Sequence, residues 1–206
     1  VAAHPRQSSR TAPGDIRFKD LNGDGVLNAQ DQEMIGSPWP DYEGGITNNL
    51  SIAGFDLSAF LQFSVGNDIF NANRIYTDQY GSYGDNHPVR AMDRWTPTNT
   101  NTNEPRAMWG DANFNTRDSD RSIEDGSYWR LKNLVLGYTL PTSFADRIGY
   151  STARIYVQGQ NVLTFTDYSG FDPEVNYSGQ TSIARGTDFY TLPQARVWSV
   201  GFNLGF

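Results

Sequence analysis

The chain has 206 residues, a formal net charge of -7 and no cysteine. The missing cysteines exclude a disulfide framework, a thiolate zinc site and a cysteine nucleophile, and the acidic balance argues against a nucleic-acid binder, which needs a basic face to neutralise phosphates. Hydrophobic residues make up only 37% of the chain while aromatics reach 14%; that is too aromatic for a disordered chain and too polar for a large closed core, so strands with one apolar face, joined by long polar loops, fit best.

In chain order, the stretch from Val1 to Pro13 is polar and lacks the apolar run of a secretory signal; it reads as the inside of a loop. Residues 20–31, Asp20-Leu21-Asn22-Gly23-Asp24-Gly25-Val26-Leu27-Asn28-Ala29-Gln30-Asp31, read as a twelve-residue calcium loop. Its oxygens would come from Asp20, Asn22, Asp24, the carbonyl of Val26, Asn28 and Asp31, with Gly25 at the sharp turn. Asp31 stands where an EF-hand has Glu, and Pro38 and Pro40 argue against a long exiting helix, so a structural loop site for calcium is expected rather than a signalling hand. Magnesium fits less well, because it keeps more of its water.

Period-two alternation then predicts five strands. The first covers about 45–52 and the second about 57–65, joined by the short turn 53–56. Residues 66–127 form a long insert rich in Asn, Asp, Gly, Thr and Pro, with no strand of useful length and with Tyr76, Tyr80, Tyr83, Trp95, Trp109 and Phe114 along it. A third strand is predicted at 128–140, with Leu134, Leu136, Tyr138 and Leu140 on one face, and a fourth, after a short link, at 152–163. A second long stretch, 164–193, carries Tyr168, Phe171, Tyr177, Phe189 and Tyr190. The fifth strand, 196–206, sets Trp198, Val200, Phe202, Leu204 and Phe206 against Ser199, Gly201, Asn203 and Gly205. Flat rings with polar edges suit sugar stacking and protein interfaces, so Tyr76, Tyr80, Trp95, Trp109, Tyr168 and Tyr177 are candidate substrate or partner contacts.

Alternation alone also suits one wall of a soluble sandwich. The connections decide otherwise, since short and long links alternate strictly, as in outer-membrane barrels with tight turns at one end and long loops at the other. No apolar run approaches the roughly 20 residues of a membrane helix, but barrel strands need only about 9–11 each. The expected fold is all-β: the last five strands of a large antiparallel transmembrane barrel, with residues 44–206 as strands and long extracellular loops (66–127 and 164–193), and residues 1–43 as an extracellular loop carrying the calcium site. Catalysis has no support. His4 and His87 lie apart in polar segments, one His with scattered Asp makes no triad, and Asp118 with Asp120, or Glu124 with Asp125, read as solvated surface rather than a glycosidase pair.

Several segments carry a resemblance. Pro13 to Gly25, Ile123-Glu124-Asp125-Gly126-Ser127-Tyr128-Trp129-Arg130-Leu131-Lys132-Asn133-Leu134 with Leu136-Gly137-Tyr138-Thr139-Leu140-Pro141, Gly159-Gln160-Asn161-Val162-Leu163-Thr164, Gly170-Phe171-Asp172-Pro173-Glu174, and Arg196 to Phe206 resemble, in order, the C-terminal portion of SusC/RagA-type TonB-linked outer-membrane transporters. The resemblance implies a plugged barrel of roughly 22 strands and import of large nutrients, glycan or peptide fragments. It also implies a SusD-like lid lipoprotein, energy from TonB through an N-terminal plug, and Phe206 as an assembly signal. The rival reading is a soluble, calcium-bearing carbohydrate-binding or dockerin-like module, although a dockerin needs a second loop repeat and a helix that this chain does not show.

Overall fold

A strand forms at each of the five places where alternation predicts one. The computed structural model describes residues 4–81, 86–177, 179 and 185–206. Its eight strands are β1 (Tyr42–Ile52), β2 (Phe55–Val65), β3 (Asp68–Asn71), β4 (Ile123–Asp125), β5 (Tyr128–Thr139), β6 (Thr152–Thr166), β7 (Thr187–Asp188) and β8 (Val197–Gly205). The five long ones make an antiparallel sheet in the order β1-β2-β5-β6-β8. The β1–β2 hairpin turns on Ala53 and Gly54, both at positive φ (51° and 85°), the geometry whose twist matches the flanking strands.

Register makes the alternation continuous across the sheet. Ile52, Phe55, Tyr138, Ile155 and Phe202 lie in one row; Leu50, Leu57, Leu136, Val157 and Val200 lie in the next. The intervening rows are mostly polar: Asn49, Ser58, Gln158 and Ser199 share one, for example, with Val135 its single apolar member. The apolar face is open, with Ile46, Leu50, Val200 and Phe202 each more than half exposed. A sandwich wall would bury that face.

One irregularity holds the pattern together. β5 has one residue more than β2 between the pairs Phe60–Asn133 and Leu61–Leu131, so Lys132 bulges. The bulge flips the phase of the strand, bringing Trp129 and Leu131 onto the face already held by Leu134, Leu136 and Tyr138. Opposite it, β6 bulges at Asn161, whose φ is 51°.

The chain divides into two compact units: Val1–Gly36, Phe70–Ile123 and Thr187–Tyr190 form one, and Ser37–Ile69, Glu124–Gly186 and Thr191–Phe206 the other. The first has little regular structure beyond the short helix α1 (Asn73–Thr77), single helical turns and the parallel pairing of β3 with β7 at Phe70–Thr187 and Asn71–Asp188. Its interior is polar instead. The fully buried Asn113 accepts from Thr11 Oγ1 (2.6 Å) and donates to Asn115 Oδ1 (2.8 Å); Asn115 donates to Asp15, which receives both arms of Arg106 at 2.8 and 3.0 Å. Chained hydrogen bonds of this kind replace an apolar core when every member is paired. The second unit contains the five-stranded sheet, the short link with helix α2 (Thr142–Ala145), and a small cluster of Ile69, Tyr168 and Val175. No helix among the described residues is long and apolar enough to cross a membrane.

Candidate functional site

The expected calcium loop is a tight spiral of side chain-to-backbone bonds. Asp20 accepts the amides of Gly23 (2.8 Å) and Gly25 (2.9 Å) on its two oxygens. Asn22 Oδ1 accepts from Asp24 N, Asp24 Oδ1 from Val26 N, and Asn28 Oδ1 from Gln30 N. Asp31 closes the loop onto its start, taking Leu21 N at 2.9 Å and Asn28 N at 2.8 Å. The amide of Asn28 is the main reason the Asp31 carboxyl lies below its ordinary range. Gly23 and Gly25 have φ of 75° and 82°, which admits the reversals. The loop's own last three residues, Ala29–Asp31, form a single helical turn with no longer helix after it among the described residues up to β1, as expected for a loop without a long exiting helix. All six expected ligand residues thus share one short loop. Among the described residues no three His, Asp or Glu side chains alone cluster to hold a metal; the fit rests on the mixed set of carboxylates, amides and the Val26 carbonyl, an all-oxygen set suited to a hard cation.

The six aromatic candidates divide by environment. Tyr80 is buried, its hydroxyl donating to Glu104 at 2.6 Å and its ring meeting His87 edge-on. Burial and Glu104 together push the Tyr80 hydroxyl far up. Tyr168 is buried with Ile69 and Val175. Trp95 is half-buried against Gly14, where an added Cβ would come within 2.4 Å of the indole. Tyr76 clusters with Phe189 and Tyr190. Trp109, 81% exposed, and Tyr177 present their rings outward. Tyr83 lies outside the described residues.

The sequence reading did not single out the densest charge cluster. Arg130, near the start of β5 and 2% exposed, meets Asp172 at 2.5 Å and also pairs with Glu174. Glu174 further takes Lys132 Nζ at 2.6 Å and the Tyr128 hydroxyl at 2.9 Å. Burial pushes the Asp172 carboxyl up, but the Arg130 guanidinium and the amides of Gln194 and Glu174 outweigh it and hold the group below its ordinary value. At the other end of the same polar face, Arg154 grips Asp56 with two bonds. The available signal was an arginine at a polar-face position of a strand, with a matching acidic turn at Asp172-Pro173-Glu174.

No family model matches the chain. Curated relatives do. TonB-dependent receptor P3 of Formosa agariphila is 41% identical over 203 residues, which is 97% of this chain and 20% of that protein. TonB-dependent receptor P26 of the same organism is 33% identical over 94% of this chain and 20% of its own length. TonB-dependent receptor SusC of Bacteroides thetaiotaomicron is 25% identical over 94% of this chain and 18% of its own. By sequence and by fold, the chain is of the SusC/RagA type. The solved RagAB peptide transporter superposes with a TM-score of 0.72 at 28% identity, over 88% of this chain and 19% of that one, and the RagAB peptide importer in its closed-closed state with 0.73 over 91% and 20%. The chain therefore spans about a fifth of the length of the relatives it matches.

The sheet has two unlike faces: open apolar rows on one side and, on the other, polar rows with Arg130, Asp56 and Arg154. The Gly170–Glu174 segment, quoted above for its resemblance, supplies both carboxylates that meet Arg130.

Proposed function

We propose that this chain forms the last five strands of a TonB-dependent outer-membrane transporter that imports large nutrients, glycan or peptide fragments, beneath a SusD-like lid lipoprotein. The observation that carries the reading is the open apolar face in register across five strands, in a chain whose relatives are TonB-dependent receptors. From Phe55 to Phe63 the apolar side of β2 rises about 27 Å along the strand at about 3.4 Å per residue. Tilted by about 40°, that is a band about 21 Å tall, close to the roughly 25 Å of outer-membrane barrels. Aromatic residues mark both limits: Phe63, Trp129 and Phe165 share one row, and Phe55, Tyr138 and Phe202 lie along another near the hairpin end. The residues that line the inside are mostly amides and hydroxyls, with Arg130 and Lys132 neutralised by the Asp172–Glu174 turn and Arg154 by Asp56 across the strands, which suits passage of neutral polar solutes.

In the same proposal the Asp20–Asp31 loop binds one calcium ion outside the cell and stiffens the segment around it. Calcium would draw together Asp20, Asn22, Asp24, the Val26 carbonyl, Asn28 and Asp31; the shorter Asp31 side chain favours single-oxygen ligation. Energy would come from TonB through a plug supplied by other parts of the protein.

The test is to tag the full-length protein in its native host, extract it from membranes with mild detergent, and determine the intact mass and partners of the complex. The expected result is an outer-membrane complex in which one polypeptide holds this sequence within a chain about five times as long, accompanied by a lipoprotein of the lid type. A soluble monomer recovered without detergent would replace this proposal with a calcium-bearing binding module. Calorimetry on the same preparation should show calcium uptake that Asp20→Asn weakens at least tenfold; no heat at millimolar calcium would remove the metal from the proposal.

A further inference from the structure

The polar face of β5 carries more than a lining. Arg130 is 2% exposed and Asp172 3% exposed, yet the residue between Gly170 and Asp172, Phe171, is 88% exposed. A turn whose neighbours are at opposite extremes of burial is held by something stronger than packing. Two carboxylates from that turn supply it. Asp172 takes Arg130 on Oδ1 and, on Oδ2, the backbone amide of Gln194 at 2.8 Å. Glu174 collects Arg130, Lys132, the Tyr128 hydroxyl and, at 3.5 Å, Gln62 Nε2 of β2. The Asp172 carboxylate therefore ties the two ends of the long 164–193 connection to each other and to one strand, and Glu174 spreads the same turn over β2 and β5.

The charges balance, two basic and two acidic, with Arg130 and Asp172 buried and Lys132 and Glu174 partly exposed. Such a group is firm while complete. Removing one partner strands a charge away from solvent, which is strongly unfavourable. The bulge at Lys132 matters here as well, because the slipped phase of β5 lets Lys132 join Arg130 on the side of Glu174. Beneath the turn, Val175 is buried with Tyr168 and Ile69, so the charged contacts and the small apolar cluster open or close together.

We infer that Arg130, Lys132, Asp172 and Glu174 form a charge latch that locks the Tyr168–Val175 segment of the long connection onto the polar face of β2 and β5, and that breaking it releases this segment while the sheet stays folded. The inference rests on contacts within the strand-bearing unit and holds whether or not the transport reading does.

The test uses the full-length protein in membranes and reads the solvent access of Val175 with a maleimide, after substitution Val175→Cys. Any other cysteines of the full-length protein are removed first. Adding Asp172→Asn and Glu174→Gln, amides of the same shape without charge, should raise the labelling rate at least tenfold. A second reporter, Ala145→Cys in α2, is fully buried away from the turn and should keep its rate. The triple change Arg130→Gln with Asp172→Asn and Glu174→Gln, which removes the buried Arg130 charge that the double change strands, should also stay open, separating loss of the latch from mere charge imbalance. An unchanged rate at position 175 overturns the inference. A parallel rise at position 145 also overturns it, since the charges would then hold the whole sheet rather than the segment.

Discussion

Asn161 lies in a strand yet has φ of 51°, a region that costs most L residues roughly 1–2 kcal/mol. Asn tolerates it, and here its Nδ2 donates to the Ala195 carbonyl at 2.9 Å while its own carbonyl accepts from Arg196, so the bulge is tied to the segment entering β8. Asn161→Val, β-branched and without the donor, should lower stability by about 1–3 kcal/mol, whereas Asn161→Gly should cost less because glycine accepts the angle freely. Urea unfolding of the detergent-folded protein distinguishes them; equal losses would mean that the backbone angle is not what matters. Asp172 gives a prediction in pH. Its folded value lies below the ordinary 3.8, so its contribution is present above that value and is lost as pH falls through the lower folded one. Tyr emission reporting on Tyr168 should stay flat from pH 7 to about 4 and change only below 3.8; a transition near pH 5 to 6 would point to a different group. At this scale the tight turn of residues 20–31 was legible, because its bonding partners are adjacent in sequence and Gly25 marks a reversal. Arg130, Asp172 and Glu174 were not, because about forty residues separate the basic from the acidic partners and no local period links them.

For the strands, alternation was a good guide wherever the pleat is unbroken. β8 and β2 follow it through, and both were placed within a few residues of their observed ends. β5 shows where it fails. Read strictly, the even positions from Leu134 to Tyr138 would continue to Lys132 and Arg130 and put two charges on the apolar face. The bulge removes that conflict, and only pairing with β2 and β6 reveals it. The bulge can therefore be tested by removing it. Without Lys132, the residues Trp129, Arg130, Leu131, Asn133 and Leu134 alternate without a break, Asn133 still opposite Phe60 and Leu131 opposite Leu61, so no side chain need change face. Heat-modifiable electrophoresis should show more of the folded band after deletion of Lys132 than after deletion of Leu136, which lies in the unbroken part of the strand and forces one side of it to change faces. Equal loss for the two deletions would mean that the strand needs the extra residue for more than its faces. The same logic applies at Gly201 and Gly137. An added Cβ would come within 2.3 Å of the Tyr156 ring at Gly201 and within 2.4 Å of Arg154 at Gly137, so these glycines open the polar face for large neighbours. Gly201→Val should reduce the folded band while Ser199→Val, two residues away on the same face, should not.

In the molecule as a whole, the sheet has two outer strands, β1 and β8, each paired on one side only. In lipid an unpaired edge leaves backbone groups without partners at several kcal/mol each, so five strands make sense only as part of a closed barrel, which agrees with the fifth of each relative's length that this chain spans. The assignment of faces is then the central claim, and one pair of substitutions decides it. Val200 lies mid-strand on the apolar side, paired with Val157, and Ser199 beside it on the polar side, paired with Gln158. If the apolar side meets lipid, Val200→Arg should cost about 2–4 kcal/mol near the membrane centre and strip the folded protein from the outer membrane. Ser199→Arg, facing the inside, should assemble normally and alter only what passes. Were the apolar face instead covered by protein, Val200→Arg would also fail, but a bulky apolar change such as Val200→Trp would fail with it. Against lipid, which accommodates added bulk, Val200→Trp should fold as well as the parent. The joint outcome, arginine rejected and tryptophan accepted at one position with arginine accepted at the next, is what a lipid-facing strand alone produces.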